Sequence, residues 1–437
     1  MSEIRRFEVK SLARVEGEGS LRVRVDDGRV EIAEFSIYEP PRFFEKLVRG
    51  RGIHEVPDIV ARICGICPVA YQLTACIALE KALGIEVTPA IARLRRLLYC
   101  GEWIQSHGLH VHLLHAPDFF GVDSGITLAA SRPDLVNRGL RLKDLGGRIM
   151  EVVGGRAVHP INVAVGGFHR APAAADLGRL GPDLEWALEA AIDLIGEVSR
   201  FEFPGMPHDY DGVCLLPEQG YPIDHGRIVA GDGLDIDTVD YGRHFAERQV
   251  PWSTALHAVR LPAETPYLVG PLARINRCHD RLPEQTRQAV ADAGIEFPLR
   301  LSSQSIVARA IEIAAACEEA LAIVRTATAE ITPCRVPWEP RAGVGCHATE
   351  APRGLLWHRY EIGADGLVSH AVIVPPTSQN QAMIEADLEA MLPGVLGLDD
   401  AAATLACERL IRDYDPCISC ATHFLTLRID RATGGDA

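Results

Sequence analysis

Arg62-Ile63-Cys64-Gly65-Ile66-Cys67 and Asp415-Pro416-Cys417-Ile418-Ser419-Cys420 carry the same C-x-x-C spacing near opposite ends of the chain, and the second runs on into Ala421-Thr422-His423. If folding brings the pairs together, four soft thiolates converge on one point, a donor set that suits zinc, an iron-sulfur cluster, or a nickel or iron ion. One pair alone would serve thioredoxin-like redox chemistry or structural zinc equally well. Structural zinc staples modules too small to bury a core. This chain has 437 residues, 47% of them hydrophobic, and needs no staple. A metal site assembled across a large core points to function, with separate unmetallated pairs as the plainer alternative.

Outward from the first pair, Pro68 begins a helical pattern through Leu73, Ile77 and Leu79 to Leu83, and Gly84 fits its stop. Cys67 then lies at a helix N-terminus, where the positive end of the macrodipole favours the metal-binding thiolate. Upstream, Leu21, Val23 and Val25 alternate with polar residues up to Asp26-Asp27-Gly28, and Val30 and Ile32 resume beyond it, a β-hairpin signature. The apolar parity then shifts to Phe35 and Ile37, which predicts a bulge near Ala33. A second helix is expected from about Ile91 towards His115, and others at 181–200, 303–328 and 399–412. Residues 331–380, rich in Gly and Pro, read as an irregular β region beside the core. The expected fold is α+β and predominantly helical, one compact domain over residues 1–423 followed by a tail, 424–437.

A net charge of −15, with 44 Lys and Arg scattered without a basic run, excludes nucleic acid as a partner. Arg5-Arg6 is followed by no apolar h-region, so neither a Sec nor a Tat signal is readable, and no stretch is apolar enough to span a membrane. Twelve cysteines then read as reduced thiols of a cytoplasmic protein, with Cys76, Cys100 and Cys317 packed in helical patterns.

Other residues are ambiguous by themselves. His107, His110, His112 and His115 lie in one expected helix, but no carboxylate completes a zincin-like pattern, so hydrogen bonding or packing is the expected role. Glu16, in Arg14-Val15-Glu16-Gly17-Glu18-Gly19, reads as a solvated charge, and Arg353, between Pro352 and Gly354, as either a surface ion pair or a guanidinium aimed by a shaped loop.

Taken together with Arg42-Phe43-Phe44-Glu45, Gln105-Ser106-His107-Gly108-Leu109-His110, Gly154 to Pro160, Val269 to Arg274, Glu350 to Gly354 and Pro376-Thr377 with Asn380, the cysteine motifs resemble the large, catalytic subunit of nickel-iron hydrogenases in the family's own order. The resemblance implies that family's large-subunit fold, with a central helical bundle and peripheral β regions. It implies Cys64 and Cys417 as terminal nickel thiolates, and Cys67 and Cys420 as bridges from nickel to an iron carrying one carbon monoxide and two cyanides. Glu45 and His423 match ligands of a nearby magnesium or similar ion. Arg353 matches the arginine over the open metal face, Pro352 and Asp415 its supports, and Glu16 the carboxylate that relays protons from Cys417, the first-choice base, with Arg353 as its rival. An iron-sulfur small subunit is implied as electron acceptor, because no iron-sulfur or flavin motif is readable in this chain, and a maturation protease is implied that cuts after His423.

Two positions depart from the family pattern: Tyr71 stands where many members have His, which weakens any imidazole hydrogen bond to the bridging sulfur, and Ser106 where some have Asp. With no readable export signal, the chain looks like the cytoplasmic, bidirectional, NAD(P)-linked branch, whose flavin and nicotinamide sites lie on partner subunits. A dihydrogen-sensing subunit of the same fold and a metal-poor structural subunit are the competing readings.

Overall fold

The computed structural model describes residues 4–26, 29–40, 42–326 and 333–422, so His423 and the tail lie outside the described residues. Pro68 opens the helix Pro68–Leu83, where its missing N–H has no intrahelical partner to lose, and Gly84 closes it in the left-handed conformation at φ 65°. Cys67 is the residue just outside the N-terminus, as the pattern predicts. The helix is buried on nearly every side, which places it inside the molecule.

On one side lies a three-stranded antiparallel sheet, Gly343–Ala351, Gly354–Ile362 and Val368–Val374, in sequence order. A Cβ on Gly345 would lie 2.8 Å from the Ala82 amide nitrogen, so glycine permits the close approach. Gly and Pro in 331–380 suggested irregularity, and the strands are mostly buried, with the first two paired without interruption and the last two carrying one register shift between Glu361 and Ile362. The glycines serve packing here and do not break the strands.

The helix Pro89–Leu109 packs against Pro133–Gly154 and Ser305–Thr326, and the last of these also lies on Gly181–Val198. A Cβ on Gly146 would come within 2.6 Å of the Gln105 amide nitrogen, so the first two axes meet over bare backbone. Pro89–Leu109 then passes into a π-helical turn, His110–His115, a local widening of the helix often found at functional sites.

The N-terminal hairpin forms an antiparallel sheet of Ile4–Val9, Gly19–Asp26 and Arg29–Ile37, while its turn residues 27–28 lie outside the described residues. Its bulge is at Glu31 and not near Ala33: Arg24 pairs with Ile32 and Val25 with Val30, leaving Glu31 extra. The inward set Ala33, Phe35 and Ile37 is thereby kept in register with the core. The helix Pro376–Val395, which packs on this sheet, was hidden from periodicity because Ser378, Gln379, Asn380 and Gln381 are polar and yet buried.

The N-terminal strand region and the helix Asp400–Asp413 are drawn together at Asp118, whose carboxylate joins Arg14 at 2.6 Å and Arg412 at 2.9 Å. One hydrophobic cluster reaches from Val9 to Ala421. Among the described residues, no helix is long and apolar enough to cross a membrane.

Candidate metal centre

Cys64 follows a short 3-10 turn in extended backbone, and the amides of Ile66 and Cys67 donate to its sulfur at 3.3 and 3.2 Å. Cys417 precedes, and Cys420 lies within, the 3-10 turn Ile418–Ala421 that follows the helix Asp400–Asp413. The four thiols meet: Sγ separations are 3.4 Å for Cys64 and Cys417, 3.9 Å for Cys67 and Cys420, and 2.7 Å for Cys417 and Cys420. All four are buried and none is in a disulfide.

The electrostatics are those of a site built for a cation. Burial raises Cys64, but hydrogen bonds from the other thiols, Cys417 foremost, and the Arg353 charge bring it well below the ordinary thiol range. Burial, then contact with the other three, pushes Cys417 well above it. Four adjacent thiols cannot all ionise without a positive partner, and as thiolates they are the donors that soft metals take. The cysteine quartet therefore fits a thiolate-bound metal centre.

Glu16 does not behave as a solvated surface charge. Its backbone carbonyl accepts from Ile418 N–H at 3.0 Å, and its Oε2 accepts from Cys417 Sγ at 3.1 Å and from Ser419 N–H at 3.2 Å. Gly17, at φ 87°, lets this strand approach, since a Cβ there would sit 2.7 Å from that of Ile418. Arg353 is likewise no surface ion pair, being 3% exposed. It occupies the two-residue turn between Gly343–Ala351 and Gly354–Ile362, and donates to the Asp415 carbonyl at 2.9 Å and its Oδ1 at 3.0 Å. Burial disfavours its charge, but Asp415 and then the thiols raise its pKa well above the ordinary guanidinium value. Asp415 itself is held at φ 53°, a strained conformation for a non-glycine residue. Pro352 contributes a carbonyl that accepts from Arg274 at 2.9 Å.

Glu45 stands apart from the quartet. Its Oε1 accepts from Ile373 N–H at 2.8 Å, and Glu247 is close enough that burial and then the Glu45 charge push its carboxyl up to about 8. The proposed companion, His423, lies outside the described residues.

The histidines support the site without joining the thiol cluster. His107 Nε2 lies 3.0 Å from Glu312, His110 Nε2 lies 3.1 Å from the Arg412 carbonyl, and His115 Nε2 lies 2.9 Å from Asp413. Several further residues hold the site: Arg42, Thr377 and Arg274 fell within the sequence motifs without a role, and Glu102 was not singled out at all. Arg42 links both cysteine motifs through the Ile63 carbonyl at 2.7 Å and the Ser419 carbonyl. Thr377 Oγ1 accepts from Cys417 N–H at 3.0 Å. Glu102 accepts from the amides of Val69 and Ala70 at 2.6 and 3.1 Å, satisfying free donors at the start of the Cys67 helix. Arg274 is fully buried over the Trp103 ring, paired with Glu312 and Glu350, and holds the Ala351 and Pro352 carbonyls beside Arg353. A lone charge within an apolar helical stretch is the one signal that could have singled out Glu102 or Glu312.

Residues 42–134 and 259–423 match the nickel-dependent hydrogenase family. The chain is 32% identical to sulfhydrogenase 2 subunit alpha of Pyrococcus furiosus, over 96% of this chain and 100% of that one. It is 28% identical to the NAD-reducing hydrogenase HoxS subunit beta of Cupriavidus necator, over 96% and 95%. The fold superimposes on an NAD+-reducing [NiFe]-hydrogenase in the H2-reduced state with a TM-score of 0.86 at 28% identity, covering 96% of this chain and 99% of that chain. With the four cysteines converged inside this fold, the chain belongs to the nickel-dependent hydrogenase family, as a large subunit of the nickel-iron type.

Proposed function

We propose that this chain cleaves dihydrogen reversibly into protons and electrons, with Cys64, Cys67, Cys417 and Cys420 holding nickel and iron. The observation that carries the reading is a buried thiol quartet with a carboxylate, Glu16, 3.1 Å from one of its members. When bound, the metal pair supplies the Lewis acidity that polarises dihydrogen for heterolysis. Following the resemblance, Cys64, Cys67, Cys417 and Cys420 would hold the nickel and iron, with carbon monoxide and cyanide as the iron's further ligands.

Cys417 Sγ takes the proton and Glu16 Oε2 receives it. Glu16 is only half-buried, so its carboxylate has one side on the quartet and another towards solvent. Arg353, kept charged by Asp415, positions positive charge over the thiols and leaves the base role to Cys417. Glu45 and His423 hold a magnesium or similar ion, a reading supported by a second, half-buried carboxylate, Glu247, beside Glu45.

Electrons pass to an iron-sulfur small subunit. Similarity to an NAD-reducing hydrogenase favours NAD(P) as the final acceptor through flavin-bearing partners, in the cytoplasm. Residues 424–437 are removed by a maturation protease once the metals are in place. Elemental analysis of the purified protein, with infrared spectroscopy, tests the assignment: nickel and iron with carbonyl and cyanide bands are expected, and zinc alone would overturn it. Fast hydrogen turnover with an electron acceptor separates catalysis from sensing.

A further inference from the structure

Three motifs of the sequence, Val269 to Arg274, Glu350 to Gly354 and Asn380, contribute no thiol to the quartet, yet the fold joins them at the turn that carries Arg353. That turn has only two residues, Pro352 and Arg353, so the aim of the guanidinium depends on how the turn is seated. The start of the helix Pro271–Cys278 provides the seat. A Cβ on Gly270, at φ 112°, would lie 2.8 Å from the Arg353 carbonyl oxygen, and one on Gly354, at φ 136°, 2.8 Å from the Gly270 amide nitrogen. Turn and helix start meet over bare backbone, in a conformation that glycine adopts freely. Asn380 pins the other side of this contact, accepting from Val269 N–H at 2.9 Å and donating to the Val269 carbonyl at 3.1 Å. Its helix, Pro376–Val395, also receives the Cys417 amide at Thr377, so the seat and the docked cysteine are referred to one element.

Arg274, fully buried in the first turn of Pro271–Cys278, spends all five of its N–H groups at this place. Two go to the Glu312 carboxylate at 2.7 and 2.8 Å, one to Glu350 Oε2 at 3.0 Å, and two to the Ala351 and Pro352 carbonyls at 3.0 and 2.9 Å. The bidentate pair with Glu312 fixes the guanidinium plane, and that plane fixes the two carbonyls just before Arg353. We infer that Val269 to Arg274 is the seat that sets the height and direction of the Arg353 guanidinium over the quartet, with Arg274 as a positioning residue for dihydrogen turnover.

The inference rests on the reading of Arg353 as the charge over the metal site, and the experiment separates the two. Turnover per nickel is measured for the parent complex, Arg274→Lys, Gly270→Ala, Arg353→Lys, and each of the first two combined with Arg353→Lys. Arg274→Lys keeps the charge between Glu312 and Glu350 but offers three donors from one atom, too few for two carboxylates and two carbonyls. Gly270→Ala leaves the buried charges untouched and pushes on the Arg353 carbonyl. Each should lower turnover per nickel by roughly 10-fold or more, with parent infrared bands. In the Arg353→Lys background neither should lower it further by more than about 2-fold, because the fork they aim is gone. If Arg274→Lys fails to load nickel, the Gly270→Ala comparison decides alone. The full chain produced without nickel gives a readout free of turnover: amide exchange at 351–354 should rise roughly 10-fold in Arg274→Lys and stay parent-like at 64–67. Equal losses of turnover in both backgrounds, or parent-like exchange at 351–354, would overturn the seat and leave Arg353 its role. Parent turnover in Arg353→Lys would overturn both.

Discussion

The two cysteine pairs have the same spacing but are held in different ways. Cys64 and Cys67 sit at the start of a helix whose free amides are met by the buried Glu102 of the next helix, Pro89–Leu109, so the pair is held largely by its own helix and its neighbour in the chain. Cys417 and Cys420 sit in a short turn held by residues remote in sequence: Glu16, Arg42 and Thr377 bind its backbone, and Asp118 clamps the preceding helix to Arg14. Identical motifs can thus be one half preformed and one half docked. A docked half suits a centre that must be loaded before it closes.

The quartet itself gives the largest effect. Cys64→Ser, Cys67→Ser, Cys417→Ser or Cys420→Ser should each abolish dihydrogen turnover, because an alkoxide is too hard and too basic to replace a thiolate, and double variants should lose no more than single ones. Parent-like nickel content and activity in any of the four would remove that residue from the ligand set.

Next comes the bridge between the docked pair and the N-terminal strand. Glu16→Gln should retain nickel and iron but lower turnover and isotope exchange with water by roughly 10²-fold or more, since an amide cannot relay a proton. Exchange at the parent rate would reduce Glu16 to a structural clamp.

Arg42→Met and Glu102→Gln address the two modes of holding directly. Loss of Arg42 frees the Ser419 and Ile63 carbonyls and should cost about 1–3 kcal/mol, expressed as weaker nickel retention and faster amide exchange at 414–420. Loss of the Glu102 carboxylate should cost about 0.5–2 kcal/mol, the scale of a helix cap, and raise exchange at the start of Pro68–Leu83 instead. If both variants loosen both segments equally, the distinction between a preformed and a docked pair fails.

Acid gives the mildest contrast. Burial raises the Asp118 pKa, but hydrogen bonds from Arg412 and then Arg14 leave it below its ordinary 3.8, so its clamp is present above that pH and lost as pH falls through the folded value. Glu102 has the opposite sign: burial first raises its pKa well above 4.5, so it binds its proton more tightly when folded and acid relieves its cost. Hydrogen exchange as pH is lowered below 3.8 should therefore open 412–420 before Pro68–Leu83. Simultaneous opening would show that the two pairs share one cooperative unit.

How much of this was readable can be followed residue by residue. Pro68, Gly84 and the alternating strands are local signals, and they placed the Cys67 helix and the N-terminal hairpin close to where they lie. Pro376–Val395 and Pro133–Gly154 were not foreseen; in the first, buried polar residues break the apolar periodicity that a helix normally shows. Glu16 and Arg353 looked bland alone because a side chain's role depends on what lies across from it, and that partner was about 400 residues away for Glu16. Only family resemblance singled them out.

The sequence by itself determined the donor chemistry, four thiols in two framed pairs, and the local elements that present them, because ligand softness and helix punctuation are properties of residues and their neighbours. Tertiary structure alone decided that the pairs meet, that Glu16 lies against Cys417, that Arg353 is held by Asp415, and that Arg274 holds the carbonyls just before Arg353. Those facts depend on long-range burial and on which polar groups it leaves to satisfy, and no local pattern encodes them.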